Sequence, residues 1–357
     1  MFHGIYQGKR VLVTGHTGFK GSWLCAWLNM LGAEVAGVAL PPEQAPDHFS
    51  LLRLPIRSEM CDIRDAAKLN ALLQDFQPDM VFHLAAQPLV RLSYECPRET
   101  FETNVMGTVN LLEACRRLPS LWTVLVVTTD KCYANPEDGC AFTEESPLGG
   151  YDPYSASKGA VEIVAASYRS SFFNGPDDPV LATARAGNVI GGGDWAKDRL
   201  LPDLVCAAAQ GRVTKIRFPN AVRPWQHVLE ALSGYLALGA KLITDGHDFA
   251  SAWNIGPVED DSYTVGDVIQ MAQSEWPAIR WQADIAGNQP HEASHLRLDC
   301  SKAHGKLRWR PTWNTEQAVR RTIRWYRDYY ENGNISTLAD LESYCDSARE
   351  AGLEWAQ

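Results

Sequence analysis

The start of the chain alternates between apolar segments and glycines in a pattern that few folds can accommodate. An apolar run, Arg10–Thr14, leads directly into Gly15-x-x-Gly18-x-x-Gly21. A helical pattern follows over Ser22–Leu31, and a second apolar run covers Glu34–Leu40. In such a strand–turn–helix–strand unit, the glycines let the backbone approach a pyrophosphate, and the helix N-terminus supplies N–H donors. The pattern therefore predicts a dinucleotide site on an α/β sheet.

The alternation continues, which predicts an α/β fold with a Rossmann-like, doubly wound parallel sheet. Residues 1–187 form the predicted dinucleotide-binding domain, and residues 188–357 a smaller, mixed α/β substrate domain whose elements are partly interleaved with the first. The further predicted strands end at Asp62–Ile63 or cover Asp79–Ala86, Trp122–Thr129 and Pro179–Ala186. The further predicted helices are Ala66–Asp75, Thr103–Arg117, Pro202–Gln210, Val228–Thr244, Val265–Glu275 and Thr315–Asn332.

The end of the second predicted strand bears on the choice of cofactor. An acidic residue there usually binds the adenosine ribose, whereas an arginine accommodates a 2′-phosphate. This strand ends Val38-Ala-Leu-Pro-Pro42, with neither residue type. The absence of arginine favours NAD over NADP, although the usual carboxylate is also missing.

A tyrosine and a lysine four positions apart, Tyr154 and Lys158, follow a helix start at Asp152 and Pro153. The two side chains share a helix face, and a nearby ammonium favours the phenolate, so the pair suits proton abstraction. A surface tyrosine beside a solvated lysine is the alternative interpretation. Thr129-Asp130-Lys131 directly follows a predicted strand, at the sheet edge where chemistry occurs in such folds. A solvated turn would explain that segment alone, but together the residues supply a hydroxyl, an acid, an amine and a phenol.

Composition excludes several functional classes. The 357 residues carry a net charge of −10 and no basic run, which argues against nucleic acid or an anionic membrane as a partner. Nine scattered cysteines without a Cys-x-x-Cys pair are typical of reduced thiols, so we expect a cytoplasmic protein. We also expect no signal peptide and no membrane span.

One metal-site motif needs a helical context that the sequence does not offer. His291-Glu-Ala-Ser-His295 matches the zinc-protease string, but it follows a glycine- and proline-containing segment and precedes the strand-like run Leu296–Asp299. We therefore predict no metal and expect His291 to contact a phosphate or a sugar.

Taken together, these segments resemble the extended short-chain dehydrogenase/reductase family over nearly the whole chain. The glycine turn is the family's cofactor fingerprint and Tyr154-x-x-x-Lys158 its catalytic pair. Within the family the chain is similar to the nucleotide-sugar 4,6-dehydratases, and most similar to the branch acting on CDP-glucose. The strings that carry this resemblance are Thr14-Gly-His-Thr-Gly-Phe-Lys-Gly-Ser-Trp23, Ala85-Ala-Gln-Pro-Leu-Val-Arg91, Thr128-Thr-Asp-Lys-Cys-Tyr133, Gly187-Asn-Val-Ile-Gly-Gly-Gly-Asp-Trp195 and Arg223-Pro-Trp-Gln-His-Val228.

The resemblance implies three sets of site residues. The catalytic set is Thr129, Asp130, Lys131, Tyr154 and Lys158. The predicted NAD site comprises Gly15, Thr17, Gly18, Phe19, Gly21, Asp62, Ile63, Ala85, Ala86, Asn104, Thr128, Tyr154 and Lys158. The substrate set is Asn188, Arg199, Arg223, Asn254 and His291. The resemblance also implies a homodimer or homotetramer formed through the helices that start near Glu102 and Tyr154.

The implied reaction converts CDP-glucose to CDP-4-keto-6-deoxyglucose, a deoxysugar precursor for surface polysaccharide such as lipopolysaccharide O-antigen. Oxidation at C4 is followed by loss of water across C5 and C6 and by return of hydride to C6. Tyr154 is the expected redox base and Asp130 the acid. Related dehydratases that act on dTDP-glucose carry Glu where this chain has Lys131, so the identity of the C5 base stays open. Two alternatives are a nucleotide-sugar 4-epimerase and a non-catalytic NAD-binding sensor.

Overall fold

The computed structural model describes residues 1–257, 262–284 and 296–357. Its strands are β1 (Arg10–Thr14), β2 (Glu34–Ala39), β3 (Arg57–Met60), β4 (Met80–His83), β5 (Thr123–Val127), β6 (Val180–Ala186), β7 (Val189–Ile190), β8 (Thr214–Ile216), β9 (Val222–Pro224), β10 (Gln226–His227), β11 (Ala252–Ile255), β12 (Ser262–Thr264) and β13 (Trp281–Ala283). Its α-helices are α1 (Phe19–Met30), α2 (His48–Leu52), α3 (Ala66–Phe76), α4 (Val90–Glu95), α5 (Pro97–Phe101), α6 (Gly107–Cys115), α7 (Pro153–Phe172), α8 (Leu200–Ala209), α9 (Val228–Thr244), α10 (Val265–Glu275), α11 (Thr315–Asn332) and α12 (Thr337–Glu350).

Seven of these strands form one parallel sheet in the order β11-β6-β5-β4-β1-β2-β3. The chain winds outward from β1 in both directions, which confirms the predicted doubly wound α/β class. The sequence of β5 is continuously apolar, as expected for a parallel strand inside the sheet that is covered on both faces. All five of its residues are buried. The strand order reverses between β1 and β4, and ligands bind outside the carboxyl ends of the strands at such a point.

The two faces of the sheet carry separate cores. On one face α1 and α9 contribute buried side chains such as Trp23 and Tyr235. On the other face α3, α6 and α7 pack residues such as Leu73 and Leu111 against the strands. Both cores fix the carboxyl edge of the sheet, where the predicted site residues lie.

The chain beyond residue 187 builds a smaller region but also returns to the sheet. Its short sheets pair β10 with β7, β12 with β9 and β13 with β8. Its β11 extends the main sheet beside β6, and its α9 covers one face. Elements of the main sheet and of the smaller region are thus interleaved along the chain. The predicted division at residue 187 marks the end of β6, but later elements still belong to the main sheet and its covering helices.

Element boundaries agree best with prediction where a capping signal exists. The helices α9, α10 and α11 have the predicted bounds, and Thr264 and Asn314 each complete a capping box. The third strand was predicted too long, because β3 ends at Met60 and Asp62–Ile63 lies in the following turn. The expected strand at Leu296–Asp299 is reduced to one bridge, between Phe142 and Leu298.

Four helices, α2, α4, α5 and α12, have no counterpart in the sequence prediction. In the part of the chain that the structure describes, no helix has the length and apolar character needed to cross a bilayer.

Candidate active site

The glycine turn brings the start of α1 against the end of β1 and the segment after β4. Gly15 has a φ of +76°, and a Cβ there would lie 2.8 Å from the backbone N of Ala85. A Cβ on Gly21 would come within 2.1 Å of the carbonyl oxygen of Gly15. Only glycine fits these two positions, so the turn is shaped for close backbone approach.

The N-terminus of α1 is a cradle for an anion. Its N-cap is Gly18, and no side chain caps the helix. The first N–H groups therefore keep their capacity to bind phosphate oxygens, and the helix dipole favours negative charge there. Thr17 donates to the carbonyl of Leu40 at 2.9 Å, which joins the turn to the end of β2. The residues present thus fit the pyrophosphate of a dinucleotide.

The wall of the cleft after β2 begins with apolar residues. After β2 the cleft is lined by Leu40, Pro41 and Pro42. Arg64 also lines it, but its guanidinium binds Asp62 at 2.6 Å and Glu99 at 3.3 Å. The ion pair lowers the pKa of Asp62.

Most of the predicted cofactor residues line one continuous cleft of about 2270 Å³. They are Gly15, Thr17, Gly18, Phe19, Gly21, Asp62, Ile63, Ala85, Ala86, Thr128, Tyr154 and Lys158. The volume exceeds the roughly 300–1,000 Å³ of an ordinary small-molecule site, so the cleft has room for two ligands.

Asn104, also predicted as a cofactor residue, is not among the residues that line this cleft. It lies in a π-helical turn between α5 and α6 and is buried. Its side-chain oxygen accepts from the N–H of Gln87 at 2.7 Å, and its nitrogen donates to Ser157 Oγ at 2.8 Å. Asn104 therefore fixes the loop after β4 against α7 instead of facing the cleft.

The first turns of α7 present the tyrosine and the lysine to the cleft. Asp152 caps the helix by accepting from the N–H of Ser155 at 2.9 Å, and Pro153 occupies the first turn, as predicted. Tyr154 and Lys158 line the cleft one turn apart, and both are buried. The Lys158 ammonium donates to the carbonyl of Val127 at 3.4 Å, which ties α7 to the end of β5.

The electrostatics of this pair differ from the expectation. Burial raises the pKa of Tyr154, Asp130 raises it further, and a hydrogen bond with Thr129 lowers it. Burial lowers the pKa of Lys158 to about 8, although Glu162 opposes that shift. The pKa of the phenol is thus raised and not lowered as expected, because desolvation of the phenolate dominates.

Thr129, Asp130 and Lys131 lie where β5 ends, in a short 3-10 turn over Asp130–Cys132. Thr129 Oγ1 donates to Asp130 Oδ1 at 2.9 Å, and Lys131 Nζ lies 3.6 Å from the same oxygen. Thr129 and Lys131 line the cleft, whereas the Asp130 carboxylate is 2% exposed and lies just behind the wall. Its Oδ2 faces Gly187, where a Cβ would come within 3.0 Å.

A buried ion pair between Glu162 and Arg185 packs behind this segment. Glu162 on α7 accepts from Arg185 at 2.9 Å and from Thr183 at 2.7 Å, and it also accepts from Thr128. Arg185 in turn donates to the hydroxyl of Tyr133 at 2.8 Å. The network fixes both ends of the segment that carries Thr129, Asp130 and Lys131.

The predicted substrate residue Asn254 belongs to that network and not to the cleft. It is fully buried in β11 and accepts from Tyr133 Oη at 2.6 Å. Its side-chain nitrogen donates to the carbonyls of Phe142 and Asp299 at 2.8 and 3.1 Å. With both ends of its amide bonded to protein groups, Asn254 supports the site from behind the cleft.

The structure places three other predicted substrate residues along the cleft. Asn188 is exposed and accepts from Lys131 Nζ at 3.4 Å. Arg199 pairs with Asp194 at 2.6 Å at the start of α8, which raises the pKa of Arg199. Arg223 lines the cleft from β9. The fourth residue, His291, lies outside the described residues, together with the rejected zinc motif.

Among the cations in the cleft that sequence reasoning missed is Lys20. It lies in the first turn of α1, is half-buried, and donates to the hydroxyl of Tyr235 at 3.4 Å. Burial and the nearby Arg199, Lys158 and Lys131 lower the pKa of Lys20 to about 7, whereas Asp130 raises it. A lysine beside the third glycine of the turn was the available signal.

A sheet with this strand order, a glycine turn at its switch point and a Tyr–Lys pair beside it define the extended short-chain dehydrogenase/reductase class. The chain belongs to the GDP-mannose 4,6 dehydratase family, whose model matches residues 12–322. It is 49% identical over 344 residues to the CDP-glucose 4,6-dehydratase of Salmonella typhimurium, covering 94% of this chain and 96% of that protein.

Solved structures agree with this assignment. A dTDP-glucose 4,6-dehydratase from Streptomyces venezuelae, solved with NAD and a second ligand, is 26% identical with a TM-score of 0.75 over 89% of this chain and 97% of that one. The UDP-glucose 4-epimerase of Thermus thermophilus, in complex with NAD, is 25% identical with a TM-score of 0.76 over 89% of this chain and 99% of that one. The high identity to a dehydratase favours nucleotide-sugar 4,6-dehydration by this chain over epimerisation.

Proposed function

We propose that the protein converts CDP-glucose to CDP-4-keto-6-deoxyglucose with bound NAD. The observation that carries this proposal is the position of Asp130 and Lys131 at the end of β5, directly beside Thr129 and the Tyr154–Lys158 pair. A 4-epimerase needs no acid for elimination, whereas a dehydratase must protonate a departing hydroxyl. The choice of CDP-glucose rests on the similarity to the Salmonella enzyme.

NAD, when bound, would take hydride from C4 of the sugar and return it at C6. The N-terminus of α1 and the glycine turn would hold its pyrophosphate, and the segment after β4 would face the nicotinamide side. We infer NAD rather than NADP because Arg64, the cation at the adenosine side, is already paired with Asp62 and Glu99. A 2′-phosphate beside Arg64 would meet those carboxylates.

In this proposal Tyr154 accepts the proton of the sugar 4-hydroxyl. Lys158 anchors that end of α7 to β5 and supplies positive charge to the oxygen that develops negative charge. The 4-ketone that results makes the hydrogen on C5 acidic. Asp130 then protonates the departing 6-hydroxyl while an amine, which we take to be Lys131, removes the C5 proton.

Arg199, Arg223 and Asn188 would bind the diphosphate and the nucleotide, because guanidinium groups bind phosphate oxygens in a bidentate manner. Arg199 is held by Asp194 at the start of α8, so its position is set before substrate arrives.

The 4-ketodeoxy product would serve deoxysugar synthesis for surface polysaccharide. All nine cysteines are free, which suits a cytoplasmic location.

We infer self-association through an exposed apolar surface on two adjacent helical segments. Phe101 and Met106 are 38% and 52% exposed, and Ile163 on α7 is 60% exposed. The segments that carry them pack side by side. Apolar side chains grouped in this way favour burial against a second copy across a twofold axis.

Mass spectrometry of the product separates the proposed function from its rivals. With CDP-glucose and NAD, the expected product has lost one water and reacts as a ketone. An epimerase would give a product of unchanged mass. A sensor would bind NAD and turn over no nucleotide hexose, and either of these results would overturn the proposal.

A further inference from the structure

Oxidation at C4 removes a hydride from the carbon and a proton from its hydroxyl, so the cofactor and Tyr154 must be held in one fixed geometry. Different elements carry the two groups. The cofactor wall includes Ala85 and Ala86 after β4, whereas Tyr154 lies on α7. Because a misplacement of about 1 Å can cost about a hundredfold in rate, a side chain that fixes these elements relative to each other contributes to catalysis without touching the sugar.

His83 is the last residue of β4, and both of its ring nitrogens have a partner. Nδ1 lies 2.7 Å from Thr14 Oγ1, and Nε2 lies 2.9 Å from Thr108 Oγ1. The side chain is buried. The imidazole therefore joins the end of β1 to the first turn of α6 at the carboxyl end of the sheet.

The bonds of Thr108 define which ring nitrogen carries the proton. The Thr108 hydroxyl donates to the carbonyl of Asn104 at 2.7 Å, and a carbonyl oxygen can only accept. With its single proton used there, Thr108 accepts from the Nε2–H of His83. Burial and the nearby Lys158 ammonium lower the pKa of His83 to about 3. The ring is therefore neutral, and its Nδ1 accepts from the Thr14 hydroxyl.

The Thr14 end of this bridge holds the cofactor wall. Thr14 Oγ1 accepts from the backbone N–H groups of Leu84 and Ala85, both at 3.1 Å. The hydroxyl proton that Thr14 gives to His83 leaves its lone pairs for these two N–H groups. The tautomer of His83 therefore matches the bonds that fix the first residues after β4.

The Thr108 end of the bridge leads to Tyr154. Asn104, whose carbonyl binds Thr108, lies in the π-helical turn Glu102–Met106, and such turns are frequent at functional sites. Its side-chain nitrogen donates to Ser157 Oγ at 2.8 Å, and Ser157 Oγ donates to the carbonyl of Tyr154 at 2.6 Å. Hydrogen bonds between buried side chains thus connect the cofactor wall with the first turn of α7.

We propose that His83, as a neutral imidazole with its proton on Nε2, is a positioning residue for hydride transfer that couples the cofactor wall to the helix carrying Tyr154. The inference rests on the proposed function for its substrate. Without the ring, the wall and α7 are no longer joined through β4, so oxidation at C4 slows. NAD still binds, because the glycine turn and the N-terminus of α1 hold its pyrophosphate.

The first experiment locates the proton by nitrogen NMR on wild-type protein labelled with ¹⁵N-histidine. The signals of His83 are assigned by their loss in His83→Gln. We expect a protonated Nε2, an unprotonated Nδ1 and no titration near pH 6.5, where an ordinary histidine titrates at about that pH. A proton on Nδ1, or a ring that titrates there, would overturn the proposal.

The second experiment measures kcat, the Kd for NAD and the isotope effect of deuterium at C4 of CDP-glucose. We expect His83→Phe to turn over about a hundredfold more slowly, with nearly unchanged affinity for NAD. Its isotope effect should exceed that of wild type, because hydride transfer becomes rate-limiting. Thr108→Val, which removes the acceptor of the Nε2–H, should change both quantities in the same direction. Thr108→Ser keeps the hydroxyl and should behave like wild type.

His48→Phe is the control for loss of packing alone. It removes another buried imidazole that is bonded to two hydroxyls, those of Ser22 and Thr337, each at 2.8 Å. Its melting temperature should fall while its isotope effect stays at the wild-type value.

A folded His83→Phe enzyme as fast as wild type, or a slow one with an unchanged isotope effect, would refute the positioning role. If that variant does not fold, the Thr108 pair decides, and a wild-type isotope effect in Thr108→Val would contradict the proposal. A wild type that releases no water from CDP-glucose refutes the proposed function itself. The NMR result needs no substrate and is independent of that outcome.

Discussion

Asp130 has two polar neighbours, the Thr129 hydroxyl at 2.9 Å and the Lys131 ammonium at 3.6 Å. Replacing it by asparagine keeps the volume but removes the titrating proton. We expect Asp130→Asn to oxidise the sugar at C4 and to lose water about 10²–10⁴-fold more slowly. Rapid quench and mass spectrometry should find the 4-ketone with its water retained. Water loss at the wild-type rate would show that another group is the acid.

The C5 base is tested by hydrogen exchange with solvent. We expect Lys131→Ala to abolish incorporation of deuterium at C5 from heavy water, because its amine is the one bonded to both Asp130 and Asn188. Lys20→Met is the matched comparison, since it removes the other half-buried amine on the opposite wall and should keep the exchange. Exchange that survives in Lys131→Ala and disappears in Lys20→Met would assign the base to Lys20.

The sequence could predict the residues whose roles depend on local spacing. Tyr154, Lys158, the glycine turn and the acid after β5 all follow from neighbours within one element and its flanking turn. The placement of Asn254 could not be predicted, because its amide bonds Tyr133 and the carbonyls of Phe142 and Asp299, which lie far away in the chain. The same holds for Asn104, whose amide bonds Gln87 and Ser157. Burial of the phenol was equally invisible, so the direction of its pKa shift was wrong.

At the scale of elements, a single carboxylate joins three helices. Glu230 on α9 accepts from the N–H groups of Thr312 and Trp313 at 2.8 and 2.7 Å, just before α11. It also accepts from the hydroxyl of Tyr344 on α12 at 2.7 Å. Burial raises the pKa of Glu230 from 4.5 to about 7.

This shift predicts a pH-dependent stability. Between pH 4.5 and about 7 the folded protein holds a proton that the unfolded chain has released. The contribution of Glu230 is therefore fully present below pH 4.5 and declines as pH rises through the window, by about 1.4 kcal/mol per pH unit. We expect Glu230→Gln to remove this decline, so that its melting temperature depends less on pH than that of wild type.

The control is Glu316→Gln on the exposed side of α11, where the carboxylate is 55% exposed and pairs with Arg320. Its pH dependence should match wild type, because surface ion pairs contribute little. Equal slopes for Glu230→Gln and wild type would show that Glu230 does not titrate in this range.

At the scale of the whole molecule, the doubly wound parallel sheet was predictable because the α/β alternation is strong, and the bounds of α9, α10 and α11 were predictable from the sequence as well. The small helix α4 and the return of β11 to the sheet were not, since both depend on contacts between distant parts of the chain. The packing of α9 over one face of the sheet, and of α8 and α10 in the smaller region, also depends on contacts between distant parts of the chain and could not be predicted.

The exposed apolar surface belongs to this scale too. We expect Ile163→Asp to weaken self-association, because a charge placed in an apolar interface is costly to desolvate. Light scattering after size exclusion should show a smaller species than wild type, with an unchanged melting transition for the protomer fold. Leu338→Asp is the control, since Leu338 is 53% exposed on α12, away from this surface. An unchanged mass for Ile163→Asp would place the interface elsewhere.

The measurement that tests the central claim most directly is water loss from a panel of CDP-, dTDP-, UDP- and GDP-hexoses, with kcat/KM determined for each with NAD. We predict that CDP-glucose is the preferred substrate, that its product has lost one water, and that NAD supports the reaction better than NADP. Preference for another nucleotide would contradict the assignment of CDP-glucose. A product of unchanged mass from every member of the panel would contradict dehydration itself.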